Sequence, residues 1–322
     1  MYNLKRDVKK STVSAYAEGT RKNMRVHWKA FLLFCTFFNL LPLPASLETI
    51  CLFIQFLSRS FKSVESIKNY VSGVRTLHLF LGHAFPSLDE FGIKLLNRGI
   101  ARDKAHLPRR ALPITPQILL EIKSFLNMND ANDASVWCLF LFAFYCMARK
   151  SNLVPDSSLK FNKQKQLSRG RIELTGYLIV VNFRWSKTNQ FGNRVLKIPM
   201  VRNPQSSLCP VAAYDNMCKL VPASGDSPAF LYKDRKGLTP ITYSIFQRFI
   251  KDLIRKSGRN PADFSSHSFR RGGATFSFRS QVPSEMIKLI GDWASDAYFI
   301  YLEFSLEDKI AIARKLAKSI NI

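Results

Sequence analysis

A chain of 322 residues is long enough for two domains of ordinary size. Hydrophobic residues make up 47% of it, so the composition excludes an intrinsically disordered protein. Lys and Arg outnumber Asp and Glu by 48 to 23, and the formal net charge of +25 predicts a polyanionic partner. The basic residues are spread along the chain, which favours a folded surface that follows a phosphate backbone over a charged tail. A membrane surface is the competing partner.

Neither of the two long apolar stretches has the features of a membrane span. Residues 31–45 are interrupted by Asn39, Pro42 and Pro44, and residues 135–148 fall short of the roughly 20 residues that a spanning helix needs. The basic start is followed by no apolar segment with a cleavage site, so we expect an intracellular protein. The six cysteines form no CxxC pair, so reduced thiols and no metal site are predicted.

The amino-terminal third has the apolar spacing of helices. After a charged start that we expect to be frayed, helices are predicted over residues 20–38, 46–57, 64–81 and 88–100. No strand pattern occurs before residue 110, so this third is an all-helical module. Basic residues lie opposite the apolar faces, and five of them are predicted to contact DNA: Arg21, Lys22, Arg25, Lys68 and Arg75.

A connector follows this module. Residues 99–115 contain Pro108 and Pro113 and lack both helical and alternating periodicity. We therefore predict a helical DNA-binding domain over residues 1–105, a linker over 106–115 and a second domain over 116–322. Arg109 and Arg110 of the linker are expected to lie along a phosphate backbone, although a merely solvated connector is the alternative.

The second domain mixes helices with a hairpin. Thr115 and Pro116 are typical of a helix start, and an apolar helix is predicted over 132–147. Alternating residues from Leu178 to Trp185, followed by a polar stretch, predict a hairpin with Lys187 at the end of its first strand. Further helices are predicted over 241–257 and 306–320. The expected fold class is therefore mainly α with a small antiparallel sheet.

Residues 265–305 concentrate the side chains that carry chemistry. His267 and Arg270 are three residues apart, so on a helix they share one face, an arrangement that suits an anion with a proton to move. Gly272 and Gly273 allow the close approach of a backbone or a ligand, and a phosphate is the ligand we expect. A short helix ended by Gly291 is predicted to come just before the remaining aromatic residues of the stretch.

Six residues from separate elements together match the requirements of phosphoryl transfer to a tyrosine. Fixed cations stabilise the charge that a phosphodiester gains under attack, and a histidine titrates near neutral pH. A lysine can protonate the leaving oxygen, an indole N–H can donate to a phosphate oxygen, and a tyrosine becomes a nucleophile when cations stabilise its phenolate. The six are Arg149, Lys187, His267, Arg270, Trp293 and Tyr301.

The segments around these residues resemble the active-site series of the tyrosine recombinases. They read CMARKSNL, RWSKTNQFG, HSFRRGGAT, IGDW and DAYFIYLEF, and are most similar to recombinases of eukaryotic mobile elements, the DIRS-like and Crypton-like groups. The resemblance implies a SAM-like helical core-binding domain and a catalytic domain that together form a clamp around double-stranded DNA. It also implies a tetrameric synapse on DNA, a nuclear location, and chemistry that needs neither metal nor cofactor.

The resemblance further implies a role for each residue. Tyr301 would attack the scissile phosphate to form a 3′-phosphotyrosyl link, and Lys187 would protonate the departing 5′-oxygen. Arg149 and Arg270 would hold the non-bridging oxygens, and His267 would accept or donate a proton. The resulting function is a site-specific recombinase or integrase, with a domesticated DNA-binding protein and a type IB-like topoisomerase as alternatives.

Some positions depart from the family pattern or stay open. Trp293 stands where many members have histidine, and Asn152 stands where an acidic residue is common, which raises the question of what braces Arg149. Tyr298 is a rival nucleophile, and Arg271 could make a salt bridge or contact a phosphate. The terminal helix over 306–320 could dock on a neighbouring protomer or pack on its own domain.

Overall fold

The computed structural model describes residues 2–235, 237–302 and 306–320. The chain forms two compact units, Met1–Arg109 and Arg110–Ile322. Helices predominate in both of them.

Helices joined by short connections make up the amino-terminal unit, and no strand occurs among its described residues. Its helices are α1 (Tyr2–Ser14), α2 (Glu18–Phe37), α3 (Leu47–Ser60), α4 (Val64–Phe80) and α5 (Phe91–Lys104). The prediction of a frayed start is wrong, because α1 occupies most of it. The other four helices are confirmed within a few residues at each end, although α5 continues into the stretch read as a connector.

Aromatic and branched side chains form the core of this unit. Phe31, Phe53 and Ile67, from α2, α3 and α4, are fully buried. Ser46, the first residue of the second predicted helix, caps the start of α3. Its hydroxyl accepts a hydrogen bond from the Thr49 amide at 3.0 Å. Leu81, the last residue of the predicted third helix, lies just beyond the end of α4 and is exposed.

The second unit adds helices and two small sheets. Its α-helices are α6 (Pro116–Ser124), α7 (Ala131–Tyr145), α8 (Lys150–Leu153), α9 (Pro210–Leu220), α10 (Tyr243–Lys256), α11 (Ser266–Arg279), α12 (Ser284–Ile290) and α13 (Leu306–Ile320). Short 3-10 turns cover Ser158–Lys160, Arg169–Arg171, Pro261–Asp263 and Asp296–Tyr301. The strands are β1 (Ile172–Leu174), β2 (Leu178–Phe183), β3 (Leu196–Val201), β4 (Leu231–Asp234) and β5 (Gly237–Pro240).

The predicted hairpin is confirmed. Strands β2 and β3 pair antiparallel with Leu178 opposite Val201 and Phe183 opposite Leu196, and β1 adds a third strand beside β2. Strands β4 and β5 form a second antiparallel pair that the sequence reading did not anticipate. Lys187 lies in the turn between β2 and β3, beyond the end of the first strand. The fold class, mainly α with small antiparallel sheets, is confirmed.

Helix α7 is the centre of the second unit. Every residue from 134 to 144 is buried, so the helix has no polar face. Helices α9 and α11 pack against it. Across the described residues, no helix is both long and apolar enough to cross a membrane.

Gly272 and Gly273 bring backbone, rather than a ligand, close to α11. A Cβ on Gly272 would lie 1.8 Å from the carbonyl oxygen of Ile114, and one on Gly273 would lie 2.2 Å from that of Phe144. Of the two partners expected at this step, a backbone or a ligand, the structure places backbone there. Gly273 lets α11 approach the end of α7, which places Arg270, three residues earlier, at the start of the α7–α8 connection.

Candidate active site

Arg270 is the buried centre of the candidate site. Its side chain is 1% exposed, and one guanidinium nitrogen donates a hydrogen bond to the carbonyl of Met147 just after α7. Its Nε and Nη2 atoms have no hydrogen-bond partner among the described residues. Burial lowers the pKa of Arg270, the positive charge of Arg149 lowers it further, and Tyr301 acts in the opposite direction. An arginine keeps its charge at neutral pH under these conditions.

The indole of Trp293 covers the Arg270 guanidinium. The Cζ atom of Arg270 lies 3.8 Å from the centroid of the Trp293 ring. Gly291 makes room for this ring, because a Cβ there would lie 1.6 Å from it. The buried Trp293 Nε1 has no acceptor in the described part of the chain. The helix end predicted at Gly291 is confirmed, since α12 stops at Ile290.

Tyr301 lies beside this stacked pair. Its ring centroid is 5.3 Å from that of Trp293, and the Arg270 Cζ is 5.3 Å from the Tyr301 ring. Tyr298 packs more deeply, with 2% of its surface exposed and its ring stacked on Phe299 at 4.3 Å. The two tyrosines therefore differ in access, since Tyr301 is only partly buried.

Backbone contacts fix the turn that carries Tyr301. The hydroxyl of Thr275 donates to the Tyr301 carbonyl at 3.3 Å. Arg271 and Arg110 donate to the Ile300 carbonyl at 3.2 and 3.5 Å. The DNA contact predicted for Arg110 and the phosphate contact considered for Arg271 stay predictions. Arg271 is buried, with 8% of its surface exposed, against the segment that holds the tyrosine.

Arg149 lies between α7 and α8 and faces Asp292. Its Nη1 atom is 3.8 Å from the Asp292 Oδ2 atom. The nearby Asn152 does not brace it, because the Asn152 amide donates to the Trp185 carbonyl at 2.6 Å. The missing acidic residue near Arg149 is thus replaced by a carboxylate from a distant part of the sequence.

Asp292 is the residue that the sequence reading missed. It is 6% exposed and accepts hydrogen bonds from the hydroxyls of Ser186 and Thr188 and from Arg194. Burial raises the pKa of the Asp292 carboxyl, but these hydrogen bonds and the charges of Arg194 and Arg149 outweigh it, so the pKa is lowered overall. Asp292 is therefore ionised at neutral pH.

Lys187 and His267 lie on the exposed side of the site. Ser186 and Thr188, which flank Lys187, both reach Asp292, while the Lys187 side chain itself is exposed. His267, in the first turn of α11, is exposed as well. Desolvation lowers the pKa of His267, and the charges of Arg270, Lys150 and Arg149 lower it further.

The remaining predicted DNA contacts are surface residues. Lys22, Arg25, Arg75 and Arg109 are exposed and Arg21 is partly buried. Lys68 is exposed and pairs with Glu65 at 2.7 Å. Among the residues that the structure describes, no group of three or more His, Cys, Asp or Glu could hold a metal ion.

Comparison with known proteins points to one structural class. No protein-family model matches the chain, and no curated protein sequence matches it. Solved structures do match, and the fold of this chain is that of the tyrosine recombinases.

Three solved structures illustrate the likeness. The Tn1549 transposon integrase in complex with transposon right end DNA has a TM-score of 0.57 at 15% identity, covering 85% of this chain and 86% of that one. A lambda integrase dimer bound to a COC′ core site has a TM-score of 0.56 at 14% identity, covering 93% and 94%. The XerH site-specific recombinase bound to its difH substrate has a TM-score of 0.53 at 14% identity, covering 82% and 69%. At such low identity the likeness establishes the fold alone.

Proposed function

We propose that this protein is a site-specific DNA recombinase that cleaves and rejoins DNA through a 3′-phosphotyrosyl intermediate. The observation that carries the proposal is the buried, partly unpaired Arg270 guanidinium, stacked under Trp293 and next to Tyr301. The six-residue pattern read from the sequence and the tyrosine recombinase fold support it.

The unpaired donors define a site for an anion. The Nε and Nη2 atoms of Arg270 and the Nε1 atom of Trp293 are buried without an acceptor in the described chain. A buried donor left without an acceptor costs about 1–3 kcal/mol, so such groups in a folded protein point to a ligand that pairs with them. These three donor nitrogens, beside a second cation, Arg149, match the non-bridging oxygens of a phosphodiester.

The proposed reaction exchanges one P–O bond for another and includes two proton transfers. The Tyr301 hydroxyl oxygen attacks the phosphorus, a P–O bond to the tyrosine forms, and the P–O bond to the 5′-oxygen breaks. His267, whose lowered pKa keeps the imidazole neutral at neutral pH, accepts the proton of Tyr301. Lys187 delivers a proton to the departing 5′-oxygen, and Arg149 and Arg270 stabilise the charge that the phosphate gains. A 5′-hydroxyl from another strand reverses the step and exchanges the partners.

The choice of Tyr301 over Tyr298 has two supports. Tyr301 lies beside Arg270 and is partly accessible, whereas Tyr298 is buried in contact with Trp293 and Phe299. A phenolate forms more readily next to a guanidinium, because the cation stabilises its charge.

We further propose that the partner is double-stranded DNA, bound by several copies of the protein, up to a tetrameric synapse. The net charge of +25 and the exposed basic residues of α2 and α4 fit a phosphate backbone. Helix α13 supports assembly, because Ile310 and Ile320 on its apolar stripe are 41% and 78% exposed, and such a stripe can dock on a neighbouring copy. The proposal also includes a role in mobile-element integration or excision, a nuclear location, and chemistry without metal or cofactor.

Covalent capture tests the proposal without knowledge of the target sequence. A pool of duplexes with a randomised centre and a nick beside it is incubated with the protein in EDTA, and DNA that stays protein-linked in detergent is recovered and sequenced. The nick lets the short leaving strand escape, so the covalent link accumulates. We expect wild-type protein and Tyr298→Phe to yield linked DNA, and Tyr301→Phe to yield none.

Other outcomes identify the alternatives. Salt-sensitive DNA binding with no covalent product from any pool would indicate a DNA-binding protein without strand exchange. Linked DNA with no sequence preference, together with relaxation of supercoiled plasmid, would indicate a topoisomerase. Linked DNA from Tyr301→Phe would refute the choice of nucleophile.

A further inference from the structure

Asp292 connects two parts of the candidate site that are far apart in the sequence. Its hydrogen-bond partners Ser186 and Thr188 lie 106 and 104 residues earlier in the chain, and Arg194 lies 98 residues earlier. Asp292 itself immediately precedes Trp293. One carboxylate therefore joins the β2–β3 turn to the stack of Trp293 and Arg270.

The contacts surround Lys187. The Ser186 and Thr188 hydroxyls, on either side of it, both donate to Asp292 Oδ2, and Ser186 Oγ also accepts the amides of Thr188 and Asn189 at 3.1 and 3.0 Å. The turn is thus closed around Ser186, and Ser186 is attached to Asp292. The lysine side chain makes no hydrogen bond or ion pair within the described residues, so the position of its backbone decides where its ammonium can reach.

Asp292 is unsuited to proton transfer. Both of its oxygens are occupied, Oδ1 by Arg194 and Oδ2 by the two hydroxyls, with Arg149 3.8 Å from Oδ2. A buried carboxylate with these partners remains ionised and serves as a fixed acceptor. Its φ of 53° lies in the left-handed region, which Asp and Asn adopt more readily than other non-glycine residues. Asp292→Asn therefore changes the charge and one acceptor oxygen with little backbone penalty.

We propose that Asp292 is a positioning residue that holds the Lys187 turn against the phosphate-binding stack, so that the ammonium of Lys187 reaches the leaving 5′-oxygen. This inference rests on the proposed recombinase function. It explains why a carboxylate, that of Asp292, lies beside Arg149, although the neighbouring residue in the sequence is Asn152 and not an acid. It also assigns a role to Ser186 and Thr188, which lie outside the six-residue pattern.

A change of leaving group separates this role from a general structural one. In a substrate with sulfur in place of the bridging 5′-oxygen, the leaving thiolate is a much weaker base and departs without a proton. A defect in the delivery of the proton should disappear on this substrate, whereas a defect in phosphate binding or folding should persist. The duplex recovered by covalent capture, made in both forms, is the probe.

Asp292→Asn should slow covalent cleavage of the oxygen substrate by roughly tenfold to a hundredfold, as expected when a supporting residue is lost. Its rate on the sulfur substrate should stay within about threefold of the wild-type rate. Lys187→Ala should show the same pattern with a larger loss, and Arg149→Ala should be slow on both. Asp226→Asn, the same change at an exposed aspartate paired with Lys163, should match wild type.

A second pair of variants tests the hydrogen bonds from Ser186 and Thr188 to Asp292 without changing the charge of Asp292. Ser186→Ala combined with Thr188→Val removes both hydroxyls and should reproduce the Asp292→Asn pattern, while Thr188→Ser keeps the hydroxyl and should remain close to wild type. In the protein without DNA, Asp292→Asn should speed hydrogen exchange at the Thr188 and Asn189 amides by about tenfold or more, because their turn is released.

The outcomes are distinguishable. No linked product from wild type on either substrate would overturn the proposed function and this inference with it. Three results would overturn this inference alone, provided that the wild type cleaves. Asp292→Asn could lose equal cleavage rate on both substrates, it could lose no rate at all, or the hydrogen exchange at the turn could be unchanged.

Discussion

The buried and the exposed sides of the candidate site are held in different ways. Arg270 and Trp293 are fixed by the core, with α11 packed on α7 and both side chains buried. Lys187 and His267 are exposed, one on a turn and one in the first turn of a helix. The groups proposed to bind the phosphate are thus positioned by packing, whereas the turn that carries Lys187 is positioned by its hydrogen bonds to Asp292. Substitutions on the two sides of the site should therefore have different effects on cleavage and on stability.

The largest effect is expected for Arg270→Lys. A lysine in this buried position cannot present two parallel N–H groups beside the indole, so covalent cleavage should fall by roughly a thousandfold on both the oxygen and the sulfur substrate. Cleavage rates under single-turnover conditions provide the measurement. Arg248→Lys, at an exposed arginine of α10, is the matched control. Activity within tenfold of wild type would contradict a phosphate-binding role for Arg270.

Gly273→Ala should damage the packing that supports the buried side. Its Cβ would lie 2.2 Å from the Phe144 carbonyl oxygen, so α11 must move away from α7, at a cost of about 3 kcal/mol in the free energy of unfolding. Urea unfolding followed by near-ultraviolet circular dichroism measures it. Gly99→Ala, in open space within α5, is the control and should stabilise its own unit by about 0.5–1 kcal/mol. Equal stability of Gly273→Ala and wild type would refute the close approach.

Trp293 contributes both packing and a hydrogen bond, and two substitutions separate them. Trp293→Phe keeps an aromatic ring over Arg270 but loses the N–H, and should lower the cleavage rate by about tenfold on both substrates. Trp293→His keeps an N–H on a smaller ring. If the hydrogen bond is the main contribution, the histidine variant should be the more active of the two, and the reverse order would show that the packing matters more.

The smallest effect concerns His267 and pH. Its pKa is lowered in the folded protein, so the unfolded chain binds this proton more readily and the folded state loses stability as pH falls through the ordinary histidine value of about 6.5 towards the lowered one. His267→Gln should therefore flatten the fall of the melting temperature between about pH 7 and about pH 5. His106→Gln, at an exposed histidine, is the control. An unchanged slope in His267→Gln would contradict the lowered pKa.

Local signals in the sequence predicted much of the fold. The cap at Ser46, the Thr115–Pro116 start and the stop at Gly291 each depend on neighbouring residues, and the structure confirms all three. The alternation before Lys187 likewise predicted the β2–β3 hairpin. Helix α1 was missed because its charged sequence contains few apolar residues. The β4–β5 pair was missed because its strands are only four residues each.

The candidate site was harder to predict because it depends on distant contacts. The spacing of His267 and Arg270 placed them on one helix, but no local pattern marked Asp292, whose partners lie about a hundred residues away. The glycine pair predicted a close approach, but the sequence did not identify the group that approaches. The structure shows that it is the carbonyls of Ile114 and Phe144. Arg271, beside Arg270, fitted either a salt bridge or a phosphate contact, and only the packing of the Tyr301 segment shows that it donates to the Ile300 carbonyl.

The identity of the residue that links to DNA tests the account most directly. Tyr298 and Tyr301 fall in one tryptic peptide, between Lys288 and Lys309, so the covalent complex is digested with protease and nuclease and the nucleotide-bearing peptide is fragmented in a mass spectrometer. We expect a nucleotide on Tyr301, joined through its 3′-phosphate. A nucleotide on Tyr298, or on any other residue, would contradict it.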